Sequence, residues 1–140
     1  MAVRVRLRLT ADSGNELISS AVLNGGFEID RPHLLLPGTC AERLLGLDFR
    51  TRAHTEAMEA AGGIIDLLEP DDEIIGRVVT DVHEGRDVSF HILVSDADSE
   101  ILVSDGGIDA LGIRVESFVP GRWRFAEETT IRESAAPRHW

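Results

Sequence analysis

Val3, Val5, Leu7 and Leu9 alternate with Arg4, Arg6 and Arg8 at the start of the chain. A repeat of two puts the aliphatic residues on one face and predicts a half-buried strand with an arginine face. Ala11-Asp12-Ser13-Gly14-Asn15 is turn chemistry. Leu17 to Leu23 is a second apolar run that can return antiparallel to the first. Asn24-Gly25-Gly26 breaks that strand with residues that tolerate the positive φ of tight turns.

Leu34-Leu35-Leu36-Pro37 is a short buried run. Thr39 is placed to cap a helix from Cys40 to Leu45, with Glu42 in capping-box position, and Gly46 ends it. His54 to Ala61 is ambiguous, because its residues favour helix while its surroundings are strand-like. Gly62-Gly63 marks a turn. Ile64 to Leu68 and Ile74 to Val82 predict β-branched strands on either side of the acidic loop Glu69 to Glu73. His83-Glu84-Gly85-Arg86 reads as a hairpin turn, with Val88 to Val94 returning. Ile101-Leu102-Val103 is a short apolar strand, and Ile108 and Leu111, with Ile113 as a further candidate, line one side of a short helix ending at Gly112. Val115 to Phe118 and Trp123 to Phe125 form a last hairpin around Pro120-Gly121. The stretch from Glu127 to Trp140 has little periodicity and is expected to be mobile.

The chain has 140 residues, which predicts one domain with a sizeable core. The expected division is a domain over residues 1–126 and a tail over 127–140. Formal net charge is −11, which argues against nucleic acid or an acidic membrane face as partner. No apolar run approaches a membrane span, and the arginine-studded start is no secretory signal, so a cytoplasmic location is expected. Cys40 is the single cysteine, which excludes an internal disulfide and any multi-cysteine metal site. All 14 basic residues are arginine, which a GC-rich genome explains most simply.

Two stretches carry a resemblance. The first is Ala21-Val22-Leu23-Asn24-Gly25-Gly26-Phe27, followed by Leu34-Leu35-Leu36-Pro37 and Ala41-Glu42-Arg43-Leu44-Leu45-Gly46-Leu47. The second is Ile101-Leu102-Val103-Ser104-Asp105-Gly106-Gly107-Ile108-Asp109-Ala110-Leu111-Gly112-Ile113, then Gly121-Arg122-Trp123-Arg124-Phe125. In this order they resemble the retropepsin-like aspartic proteases, particularly the small archaeal and bacterial members. The resemblance spans roughly Val3 to Phe125. It implies a mostly β, closed retropepsin-like barrel with one or two short helices. It also implies a homodimer whose cleft takes a peptide or protein, with no cofactor and no metal.

The departures fall on the chemistry. The family's Asp-Thr-Gly is replaced by Asn24-Gly25-Gly26, and the glycine of its later strand by Ser104. Aspartic proteases work with two carboxylates that share a proton, one from each subunit in retropepsins. An amide is neither base nor acid near pH 7, and general acid–base help is worth roughly 10²–10⁴ in rate. Whether the chain is an enzyme is therefore open, and a catalytically inactive peptide-binding module is the favoured expectation. An active endopeptidase is the alternative. Its carboxylate would come from Asp12 of Asp12-Ser13-Gly14, from a deamidated Asn24, or from an aspartate replaced at position 24 by engineering. Asp12 reads more plainly as a hairpin tip. The family's flap, a hairpin that closes over substrate, has its nearest counterpart tip in Ala60-Ala61-Gly62-Gly63, which reads equally as a surface turn.

Other constellations are weaker. Asp96-Ala97-Asp98-Ser99-Glu100 begins like a calcium loop but lacks the glycine and glutamate such a loop needs, so it reads as a solvated loop. His83 and His91 are candidates for neighbouring strands, with no third metal ligand nearby. Trp123 is expected in the core or at the dimer edge, and Trp140 either in solvent or against a neighbour.

Overall fold

A computed structural model of the chain describes residues 2–24, 27, 29–60 and 63–140. The fold is mostly β and holds a closed six-stranded barrel. β1 (Arg4–Ala11) and β2 (Glu16–Leu23) form an antiparallel hairpin, paired from Arg4↔Val22 to Thr10↔Glu16. β3 (His33–Pro37) leads into α1 (Gly38–Leu45) and α2 (Phe49–Arg52). β4 (His54–Ala60) pairs antiparallel with β5 (Gly63–Glu69), and β6 (Glu73–Val78) with β7 (Val88–Ser95). β8 (Ile101–Val103) and α3 (Asp105–Ala110) follow. β9 (Ile113–Phe118), β10 (Gly121–Phe125) and β11 (Arg132–Glu133) form a small separate sheet.

Around the barrel the order is β1, β2, β8, β3, β7 and β6, and β6 pairs with β1 to close it. The expected alternation is realised. Val3, Val5, Leu7 and Leu9 point inward and are at most 1% exposed, each burial stabilising by roughly 2 kcal/mol. Leu34, Leu36, Ile92, Val94, Ile101 and Val103 meet them from the far wall. β8 threads between two strands, parallel to β2 and antiparallel to β3. β5 and β4 carry the sheet outward from β7.

Several local expectations are corrected. The segment from His54 is strand, because its register against β5 outweighs the weak helical preference of Glu, Ala and Met. The Thr39 capping box does not form. α1 starts earlier, after Pro37, without a side-chain cap, and Glu42 instead pairs with Arg50 at 3.3 Å. Gly46 does end it, at φ 88°, where a side chain would be strained. The turn after β6 comes earlier than His83-Arg86, because the Thr80 side chain and amide both bond His83. Val79 then bridges Glu84.

The tail is docked rather than mobile. Arg132 and Glu133 pair with β10, the Ala135 amide donates to the Arg4 carbonyl at 2.9 Å, and the Arg138 amide donates to Ser20 Oγ at 2.8 Å. Trp140 packs on its own chain: its Nε1 donates to Ser19 Oγ at 3.2 Å and Arg138 stacks 4.0 Å over the ring. Trp123 is 3% exposed and sits in the core. No helix among the described residues is long and apolar enough to cross a membrane.

Candidate functional site

β2 ends at Leu23, but its pairing with β8 continues for one more residue. The Asn24 amide donates to the Val103 carbonyl at 3.2 Å, and the Asn24 carbonyl accepts from the Phe27 amide at 3.0 Å. Asn24 is half-buried. Gly25 and Gly26 of the same motif lie outside the described residues.

The chain beyond this loop is laid across the start of α3. The Asp105 amide donates to the Phe27 carbonyl at 3.1 Å, and the Gly106 amide to the Ile29 carbonyl at 3.0 Å. A Cβ on Gly106 would fall 2.2 Å from the Asp30 carbonyl oxygen, so only glycine lets the segment lie this close. Ser104, read from the sequence only as a departure, is the brace of this arrangement. Its hydroxyl is fully buried. It accepts from the His33 amide at 2.9 Å and from the Gly107 amide at 3.1 Å, and donates to the Arg31 carbonyl at 3.1 Å. One side chain therefore caps α3 and ties it to the start of β3.

A second apolar cluster lies between the chain after Asn24 and the β4–β5 hairpin. Phe27 follows the Asn24 loop, and Leu67 lies on β5. Both pack with Leu35 and Leu93, while Ile29, Met58 and Leu102 close the sides. The β4–β5 hairpin thus packs, through Met58 and Leu67, against the cluster that holds Phe27, three residues beyond Asn24. Beyond this contact it projects into solvent, with Ile64 74% exposed. Gly63 pairs with Ala60 at its far end, and Ala61 and Gly62 lie outside the described residues.

Asp12 stands exposed at the β1–β2 tip. The whole of β2 separates it from Asn24, about 26 Å at ~3.3 Å per residue. In the loop after β7, Asp96 is gripped by Arg50 at 2.9 Å and Glu100 by Arg4 at 2.7 Å. Among the described residues no group of three His, Cys, Asp or Glu is placed to hold a metal ion. The partner of His91 is His33 rather than His83: β3 and β7 put them in register, with ring centroids 5.2 Å apart. Burial holds the His33 imidazole below its ordinary range, and the nearby His91 and Arg31 charges add to this. Parallel strand pairing between residues so far apart in sequence leaves no local signal, which is why that pair was missed.

Chemically, position 24 offers an amide that can donate and accept hydrogen bonds but cannot shuttle a proton near neutral pH. No family model matches this chain, and no curated protein matches it.

Proposed function

We propose that the chain is a retropepsin-like module without catalytic activity, which binds an extended peptide or protein segment and works as a homodimer. The observation that carries the reading is Asn24. An amide ends β2 at a loop pinned between β8 and α3, near an apolar cluster packed against a projecting hairpin. The order of elements also supports the resemblance. A hairpin runs into the Asn24 loop, an apolar strand ends at Pro37, a helix ends at Gly46, and a later strand and short helix brace the loop. Affinity would come from main-chain pairing along an open strand, with side-chain pockets selecting the sequence.

The test is cleavage of casein and of a peptide library at acidic and neutral pH by the unaltered chain, by Asn24→Asp and by Asn24→Asp with Gly25→Thr. The unaltered chain should cleave nothing, while retaining peptide in an equilibrium binding assay. A mass spectrum of the fragment spanning Asn24 shows whether the amide is intact. Cleavage by chain whose amide is intact would overturn the reading. Cleavage that tracks the deamidated fraction would favour an active peptidase instead.

A further inference from the structure

The large sheet leaves one long strand edge open. β4 ends the strand order, and among the described residues its seven residues pair with β5 alone. Every second N–H and C=O of such a strand faces outward with no partner strand. Natural proteins commonly blunt an edge of this length with proline, charged side chains or a bulge. β4 has no proline, its register against β5 runs unbroken from His54↔Glu69 to Ala60↔Gly63, and its charges are the acidic Glu56 and Glu59, which repel an acidic strand but not a cationic one. Ile64 and Ile65 beside it are 74% and 39% exposed.

Charge selects the occupant. Glu56, Glu59 and Asp66 are exposed, and no ion pair engages them among the described residues. Carboxylates elsewhere, such as Glu42, Asp72 and Glu84, are held by arginine. From Ala53 to Gly76 the chain has no arginine at all. The pairs Ala57↔Asp66 and Glu59↔Ile64 put Glu59 and Asp66 on one face, and Glu56↔Leu67 with Met58↔Ile65 puts Glu56 on the other. An added strand would meet carboxylate on both faces. A second copy of this chain pairing through the same edge would bring the same carboxylates against these, so local electrostatics oppose self-pairing at β4.

We propose that the open edge of β4 takes an extended cationic peptide segment as an added strand, with Glu56, Glu59 and Asp66 reading its basic side chains. The proposal rests on the peptide-binding reading above and deepens it by naming the receiving strand and the substrate class. Main-chain bonds supply affinity, and the carboxylates supply specificity and fast encounter.

The experiment uses fluorescein-labelled peptides of about nine residues, long enough to span a strand, in which valine alternates with arginine, glutamine or glutamate. Their binding to the full chain is followed by fluorescence anisotropy at low and high salt. The arginine peptide should bind tightest and weaken with salt. Glu56→Gln, Glu59→Gln and Asp66→Asn together should weaken it about tenfold or more. These surface positions leave the fold intact, as circular dichroism will show. An arginine peptide N-methylated at alternate residues should lose binding, since it cannot pair along an edge. Equal binding of all three peptides, unaffected by the triple variant, overturns this proposal and leaves the peptide-binding reading standing. Binding by no peptide overturns both. Concentration-dependent self-association that the triple variant changes would assign the edge to a second copy, and so overturn the cationic partner.

Discussion

Ser104→Ala removes one oxygen and strands two backbone amides, while the Arg31 carbonyl keeps its 3.2 Å contact to His33 Nδ1. In the native chain that oxygen accepts from the His33 and Gly107 amides at 2.9 and 3.1 Å, and its proton goes to the Arg31 carbonyl at 3.1 Å. Ser104 is 0% exposed, so water cannot take the oxygen's place without local opening. Loss of a helix N-cap alone costs about 1 kcal/mol. Each buried donor left unsatisfied costs about 1–3 kcal/mol, with the lower end applying to the partly buried His33 amide. The sum is a loss of about 2–4 kcal/mol, which for a chain of this size lowers Tm by about 5–15 °C. Urea unfolding of Ser104→Ala beside the unaltered chain measures it. Ser13→Ala serves as the control, because Ser13 Oγ accepts a single 3.4 Å bond in an exposed turn and should cost under about 0.5 kcal/mol. Amide exchange at His33 and Gly107 should accelerate in Ser104→Ala while that of Leu7 holds. A loss under about 1 kcal/mol, or no change in exchange at those two amides, would refute the brace.

Three further outcomes follow. Trp140→Ala removes the bond to Ser19 and the stacking on Arg138, and should cost about 1–3 kcal/mol; trypsin should then cut at Arg132 and Arg138 faster, and unchanged cutting would show that Trp140 does not hold the tail. Burial lowers the His33 pKa in the folded state, so its neutral form contributes stability above the unfolded value near about 6.5, lost as pH falls through the folded value. His33→Gln should therefore flatten the fall in urea midpoint on acidifying past that unfolded value, and an unchanged slope would assign the fall to other groups. Burial pushes the Cys40 thiol up to about 12, against the pull of nearby Arg138 and Arg43. Cys40 should ignore a disulfide reagent at mildly alkaline pH until the chain is denatured, and rapid labelling of native protein would contradict its burial.

Much of the barrel was legible in the sequence because its signal is local. The arginine–aliphatic alternation of β1 and the positive-φ glycine after α1 each announce themselves within a few residues. The Asn24 loop was legible for the same reason, since Asn-Gly-Gly ends a strand. What stayed hidden depends on distant partners. β4 is made of residues that prefer helix and becomes strand only through its pairing with β5. The tail shows no periodicity because single side chains hold it, among them Ser134, Arg138 and Trp140. Ser104 looked like a lost glycine. Its work depends on the carbonyl of Arg31 and the amide of His33, more than 70 residues earlier, brought close by β8 lying between β2 and β3.

The docked tail also makes the first hairpin depend on distant chain for its completion. The first strand's Arg4 bonds Ser134, 130 positions later, and Ser20 waits for Arg138. A folding chain can zip its first hairpin early, yet β1 and β2 lack these partners until residues 134–138 reach them. High sequence separation of this kind slows folding and lengthens the period during which strand edges stand bare. The interval before residues 134–138 dock is therefore the chain's most aggregation-prone moment.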